Sequence, residues 1–167
     1  MRDLMMAALA FAMVGSVARA QDTPVADVAA GYSVIQEVQG SGITANGGSS
    51  TVALNVNSWL GAVGDFALYH AAPIAPGLAA GTYTFGPRFS YRRWSRFTPF
   101  AQVLLGGVRY SNNGFTFGAG GGADITLGAS GRFALRQQVE YFGFRANGGT
   151  TNTIRISAGI VFRIGKK

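Results

Sequence analysis

The chain has 167 residues, with 14 Lys+Arg against 7 Asp+Glu, no cysteine and a single histidine. The absence of cysteine excludes a disulfide framework and a thiolate metal site, and one histidine is too few for an imidazole-based one. The net charge of +7 is carried almost wholly by arginine, which makes nucleic-acid binding a class to be decided by where those arginines fall.

The N-terminal stretch MRDLMMAALAFAMVGSVARAQ combines Arg2, an apolar run from Leu4 to Val17 and an Ala18-Arg19-Ala20 cleavage box. It predicts a secretory signal peptide over residues 1–20 and a mature domain over 21–167. The apolar run is too short to span a membrane comfortably, and Asp3 is its one discordant residue. No later apolar run approaches a transmembrane helix, because charges or turn residues interrupt each of them.

The mature chain alternates. In VADVAAGYSVI, Val28, Ala30, Tyr32 and Val34 oppose Ala29, Gly31 and Ser33. TVALNVN and LGAVGDFALYH follow. In TYTFGPRFSYRR, Tyr83, Phe85, Phe89 and Tyr91 share one phase, and Thr82, Thr84, Arg88, Ser90 and Arg92 the other. TPFAQVLLGGVRY is ambiguous, since Ala101, Val103 and Leu105 compete with Phe100, Leu104 and Val108. FTFGAGGGADIT contains a G-x-G-x-x-A run that in isolation suits a dinucleotide loop, but no helix opens on it. Phe115, Phe117, Ala119, Gly121, Ala123 and Ile125 alternate there with Thr116, Gly118, Gly120, Gly122, Asp124 and Thr126, as in a strand. FALRQQVEYFGF sets Phe133, Leu135, Val139 and Tyr141 against Arg136, Gln138 and Glu140, with Gln137 a polar defect on the apolar side. TIRISAGIVFRI sets Ile154, Ile156, Ala158, Ile160, Phe162 and Ile164 against Arg155, Ser157, Gly159, Val161 and Arg163.

Eight such strands predict an all-β fold: an eight-stranded antiparallel up-and-down transmembrane β-barrel, which removes its own edges by closing. The connections QGSGITANGGSS, AAPIAPGLAAG, SNNG and ANGGTTN fall outside. Those near NSW, RWSR and GASG fall on the periplasmic side and are short, the asymmetry of an outer-membrane barrel. Trp59, Trp94 and Phe97 sit at the short turns, where an interfacial aromatic girdle is expected. Arg93, Arg96, Lys166 and Lys167 belong to the same rim, where anionic headgroups would meet them.

Facing follows from volume. An eight-stranded lumen is only just wide enough to be filled, so the bulky apolar phase belongs outside, against lipid. The opposite arrangement, a soluble lipocalin-like ligand carrier, would need every aromatic of that phase packed within. The polar phase then forms a luminal network of Asp65, Arg88, Asp124, Arg136, Glu140, Arg155 and Arg163, hydrogen-bonded because unpaired charge there is costly. Gly118, Gly120 and Gly122 make room for neighbouring arginines and aromatics. Arginines turned inward leave no nucleic-acid face. Pro87 removes a ladder hydrogen bond, so a local bulge is expected there.

The segments AGYSV at Ala30, WLGAVGDF at Trp59, GPRFSYR at Gly86, TPFAQVLLGG at Thr98, GAGGGAD at Gly118, RQQVEY at Arg136 and RISAGIVFRIG at Arg155 together resemble the small eight-stranded outer-membrane β-barrels of the OmpA-like type. More narrowly, the chain is similar to the outer-membrane β-barrel domain family common in Acidobacteria. The resemblance implies an integral cell outer-membrane location and no assigned chemistry; a monomer among outer-membrane lipids is the expected state. The resemblance also implies an assembly signal at Gly159, Phe162 and Ile164, with Ser157, read by the barrel-assembly machinery. Ile164 stands where that signal usually has an aromatic, and GKK follows it.

Some barrels of this size resemble lipid A-modifying hydrolases. Here His70 lies near the outer leaflet but has no H-x-S spacing and no carboxylate nearby in sequence to orient it. The expectation is therefore a structural or surface-interaction barrel, neither an enzyme nor a general porin, without cofactor or metal. A hydrolase using His70 is the alternative.

Overall fold

The computed structural model describes residues 23–38, 44–70, 79–109, 113–146 and 149–165, and the expected signal peptide lies outside them. Among the described residues eight strands follow one another and no helix occurs: β1 (Ala26–Glu37), β2 (Thr44–Asn55), β3 (Leu60–His70), β4 (Ala79–Ser90), β5 (Phe97–Arg109), β6 (Asn113–Leu127), β7 (Phe133–Ala146) and β8 (Gly149–Ile164). Each pairs antiparallel with its sequence neighbours, and β8 pairs with β1 to close the barrel.

The register sets the shape. A path of directly paired residues starts at Val28 and runs through Val52, Gly64, Phe85, Leu105, Phe117, Gly143 and Asn152. It returns to the first strand at Val38, whose N–H donates to the Asn152 carbonyl at 2.8 Å. The wall is thus sheared by ten residues in one circuit. With strands about 4.8 Å apart and a rise of about 3.3 Å per residue, that shear gives a tilt of roughly 40° and a backbone radius of roughly 8 Å. A twelve-residue strand at this tilt climbs about 30 Å, the thickness of a bilayer's hydrocarbon core.

Alternation assigns the two faces. Tyr32, Phe66, Leu68, Tyr83, Phe85, Leu105, Phe117, Val139, Ile156 and Ile160 all point outward and are exposed. A contiguous apolar belt of this extent is unlike a water-facing surface, and the charged residues occupy the inner face instead. This is the reverse of the facing that a soluble ligand carrier requires. In β5 the ambiguity resolves with Phe100, Gln102 and Leu104 buried and Ala101, Val103 and Leu105 exposed. Gln137 lies on the outer face between Ala123 and Ala158.

Two expectations are corrected. The Gly-, Asn- and Ser-rich segments 44–50 and 149–152, read as connections, belong to β2 and β8. Gly47 pairs with Ser33, Ser49 with Gly31, and Asn152 with Gly143; pairing within a closed ladder overrides weak local strand propensity. At Pro87 there is no bulge. The β4–β5 ladder has a gap at that point, yet Phe85↔Leu105 and Arg88↔Gln102 keep one register. Proline's missing N–H costs a ladder bond without inserting a residue, while the β3 side stays paired at Ala62↔Pro87.

The short turns behave as their residues dictate. Asn57 Oδ1 accepts the N–H groups of Trp59 and Leu60 at 3.0 and 2.7 Å, an Asx-type turn. Gly128 and Gly131 both take a φ of 66°, the left-handed region that glycine enters freely. Inside, the glycines of β6 do different work. A Cβ on Gly118 would meet the Phe142 ring, one on Gly120 the Val139 carbonyl and Glu140, and one on Gly122 the Gln137 carbonyl and Gln138. The space they leave is thus taken by an aromatic ring and by the backbone and side-chain stems of β7, rather than by arginine.

Ile156→Arg, on the lipid face, should destabilise the barrel by about 2–4 kcal/mol if it lies near the midplane. Gly120→Ala should cost about 1–3 kcal/mol by overpacking. Urea unfolding of the refolded protein in lipid bilayers reads both, and neutral behaviour of both would reverse the assignment of faces.

Candidate functional site

The lumen is organised by the rows that the register creates. Arg155 on β8 stands directly opposite Glu140 on β7, Glu140 opposite Gly120 on β6, Gly120 opposite Gln102 on β5, and Gln102 opposite Arg88 on β4. The side-chain bonds follow this row. Arg155 Nε donates to Glu140 Oε2 at 2.7 Å, and its Nη2 bonds the same oxygen. Gln102 Nε2 reaches Glu140 Oε1 at 2.6 Å across the bare backbone of Gly120. Arg88 Nε donates to Gln102 Oε1 at 2.7 Å, and Gln138 Nε2 adds a bond to Glu140 Oε2 at 3.0 Å.

Arg155 also crosses the barrel. Its Nη1 and Nη2 form a fork with the two carboxylate oxygens of Asp65 on β3, at 2.7 and 2.9 Å. Nη1 further donates to the Tyr69 hydroxyl at 3.3 Å, and the guanidinium lies 4.7 Å over the Phe142 ring. Arg155 and Asp65 are wholly buried. A bidentate, charge-assisted pair with the remaining donors satisfied is the geometry in which a buried ion pair holds.

A second unit lies nearer the end that carries both termini. Arg136 stands opposite Asp124 and binds it as a fork at 2.7 and 2.8 Å. On its other side the facing residues are Gly159 and then Gly31, which leave the wall bare. Arg136 Nη1 extends past them to Thr51 Oγ1 at 2.9 Å. Phe100 receives two guanidiniums, with Arg88 4.5 Å and Arg136 4.8 Å from its ring centre. Arg88 differs from the other two buried arginines, because its Nη1 and Nη2 are buried with no hydrogen-bond partner in the protein.

At the terminus-bearing mouth, Asp27 Oδ2 accepts Arg92 Nη2 at 2.8 Å and Asn55 Nδ2 at 3.1 Å. Arg163 Nε is 3.9 Å from Asp27 Oδ1, and its Nη1 donates to Thr126 Oγ1 at 2.8 Å.

All seven residues expected to be luminal therefore point inward: Asp65, Arg88, Asp124, Arg136, Glu140 and Arg155 deep inside, Arg163 at the mouth. The bonds divide them into the Asp65–Glu140–Arg155 and Asp124–Arg136 groups, with Arg88 tied on through Gln102. Gln102, Asp27, Tyr69, Thr51 and Phe100 were not singled out from the sequence. Gln102 and Phe100 lie in the strand whose phase was ambiguous. Asp27 could have been found, since it opposes Val28 on the inner phase. The lumen also holds apolar groups that the sequence did not assign to it, among them Val63, Leu104, Phe142 and Phe144.

Outside, Trp59 stacks on Phe89 at 6.0 Å between ring centres, and Trp94 contacts Tyr91 and Phe97 at 5.2 and 5.8 Å. Gly159 faces Gly31 across the closing seam, Phe162 packs against Phe133 at 5.2 Å, and Ile164 is exposed. His70 is exposed at the far end of β3, paired with Asn46 and Ala79. Among the described residues no three His, Cys, Asp or Glu side chains form a group able to hold a metal.

Neither a protein-family model nor a curated protein matches the sequence. Solved structures do match the fold. Neisserial surface protein A aligns with a TM-score of 0.65 at 15% identity, covering 83% of this chain and 97% of its own. The outer membrane protein OprG from Pseudomonas aeruginosa gives 0.60 at 8% identity, covering 87% and 98%. The attachment invasion locus protein Ail of Yersinia pestis gives 0.52 at 13% identity, covering 82% and 97%. The fold is that of the small eight-stranded outer-membrane barrels.

Arg155→Met should cost about 3–5 kcal/mol, because it leaves Asp65 and Glu140 buried without their shared cation. Arg88→Met, removing a cation that no carboxylate binds, should cost less than about 1 kcal/mol. Urea unfolding in bilayers compares them, and equal losses would mean that Arg88 is held by charge pairing too.

Proposed function

We propose that the chain is an integral outer-membrane protein, exported by a signal peptide over residues 1–20, whose barrel is a monomeric structural or surface-interaction element with a plugged lumen. The observation that carries this reading is the bonding across the lumen. Arg155 ties β8 to Asp65 on β3, and Arg136 ties β7 to Thr51 on β2. With Gln102 and Glu140 bridging β5 and β7, a solute would have to break charge-assisted bonds in a low-dielectric interior to pass.

In this orientation the end that carries the termini is periplasmic. The exposed Trp59, Trp94 and Phe97 form the interfacial girdle there, beside the anionic headgroups that Arg93 and Arg96 would meet. Gly159, Phe162 and Ile164 serve as the C-terminal signal for the barrel-assembly machinery. A role in surface contact is in keeping with structural neighbours that are called a surface protein and an attachment protein. The barrel acts without catalysis, cofactor, metal or nucleic acid.

Membrane fractionation, with boiled and unboiled samples compared on a gel, tests location and closure. Recovery in the outer membrane with faster migration before boiling is expected; a soluble periplasmic protein would overturn the reading. In planar bilayers no steady open state above roughly a nanosiemens is expected for so narrow a barrel, and one would refute the plug. A His70→Ala strain should keep its lipid A profile, whereas loss of a product would establish the hydrolase.

A further inference from the structure

The luminal column leaves one feature unused. At the terminus-bearing mouth lies a cavity of about 360 Å³, bounded by Arg92, Arg132 and Arg163, the hydroxyl-bearing Ser95, Thr98, Thr126 and Ser130, and the backbone at Pro24 and Gly165. The one carboxylate that the described structure bonds to this group is Asp27, engaged by Arg92 at 2.8 Å and standing 3.9 Å from Arg163. Asp124 also acts on Arg163 at longer range, but it is already bound by Arg136, so the three guanidiniums around the cup share Asp27 as their bonded carboxylate.

The donors are poised but incompletely used. The Arg92 side chain is only 10% exposed, and its Nε is buried with no partner in the protein. Arg163 spends Nη1 on Thr126 Oγ1 and the Gly131 carbonyl, while its Nε and Nη2 are buried and unbonded. Buried guanidinium N–H groups are costly to leave unmade. Water can satisfy the bonds, but it leaves the excess positive charge in place. A tetrahedral oxyanion answers both needs, since its several acceptor oxygens suit guanidinium forks and neighbouring hydroxyls.

We propose that this cup binds a phosphate group, with Arg163 and Arg92 as the inner donors and Arg132 closing over it from the exposed side. Thr98, Thr126 and Ser130 supply hydroxyl donors, and Asp27 holds Arg92 in place. Phosphate chemistry at a membrane rim has two sources, a soluble phosphate or phosphomonoester and the headgroup of a phospholipid. The exposed Trp94 among the lining residues gives a headgroup a lateral approach.

The test uses the full chain refolded in a neutral detergent, titrated by calorimetry with inorganic phosphate and with glycerol phosphate. In a parallel arm, neutral-lipid nanodiscs are supplemented with phosphatidylglycerol, whose bound fraction is read by phosphorus NMR. Arg163→Gln and Arg132→Gln should each weaken binding at least tenfold, while Arg145→Gln, at the opposite end of β7, should change it less than twofold. Heat-modifiable migration shows that each variant is folded, so a loss is not read from a collapsed barrel. Saturation by the soluble probes assigns the site to free phosphate compounds; saturation by phosphatidylglycerol alone assigns it to the headgroup. Absence of saturable binding by every probe, or equal weakening in Arg145→Gln, would overturn the proposal.

Discussion

Arg155 is the point on which the lumen depends. Its guanidinium is wholly buried between Asp65 and Glu140, and it bonds both to its neighbour strand and to the far wall. A charge of that kind is tolerated only where the geometry of its partners is excellent and their remaining lone pairs are used. Here they are used: Glu140 also accepts Gln102 and Gln138. The arrangement therefore fixes three strands besides β8, and removing any one carboxylate would strand charge in the others' midst.

The small residues are the other half of the same arrangement. A barrel of roughly 8 Å backbone radius has room inside for about one layer of long side chains. Long groups can meet across the wall only where the position between them is bare. Gly120 lies between Glu140 and Gln102, and Gly159 with Gly31 beside Arg136. Glycine weakens a strand by itself, and in this fold the neighbouring ladders and the polar bonds it admits offset that cost. The glycine-rich run at Gly118 thus reads as spacing between functional side chains, which explains why it lacks the helix of a nucleotide loop.

Period-two alternation made most of this legible in the sequence. LGAVGDFALYH coincides with β3 residue for residue, because every second position there is unmistakably apolar or small. The luminal charges were legible for the same reason: an arginine or carboxylate on the minority phase of a greasy strand has only one place to go. Two kinds of information were hidden. In β5, Phe100 and Leu104 are apolar yet inward, so local composition could not set the phase and Gln102 was lost with it. In β2 and β8, glycine and asparagine form strand only because partners elsewhere in the chain pair with them. Nor does a pattern of faces say who bonds whom. The fork between Arg155 and Asp65 spans ninety positions of sequence and depends on the ten-residue shear, which no single strand encodes.

The register also distributes charge unevenly along the axis. Between Asp65 and Arg163 the described interior holds Arg88, Arg92, Arg136, Arg155 and Arg163 against Asp27, Asp65, Asp124 and Glu140, one guanidinium more than carboxylates. Deep inside, Arg88, Arg136 and Arg155 balance Asp65, Asp124 and Glu140, although Arg155 takes two of the carboxylates and Arg88 none, so the surplus falls on the mouth. Arg88 is accommodated by sharing the Phe100 ring with Arg136, a cation–π contact that partly replaces a counter-ion in a dry site. Among the described residues no such ring contact serves Arg92 or Arg163 at the mouth. Of the 14 Lys and Arg residues that first suggest a nucleic-acid partner, five are thus turned into the barrel, and Arg93, Arg96 and Arg132 are exposed beside its mouth.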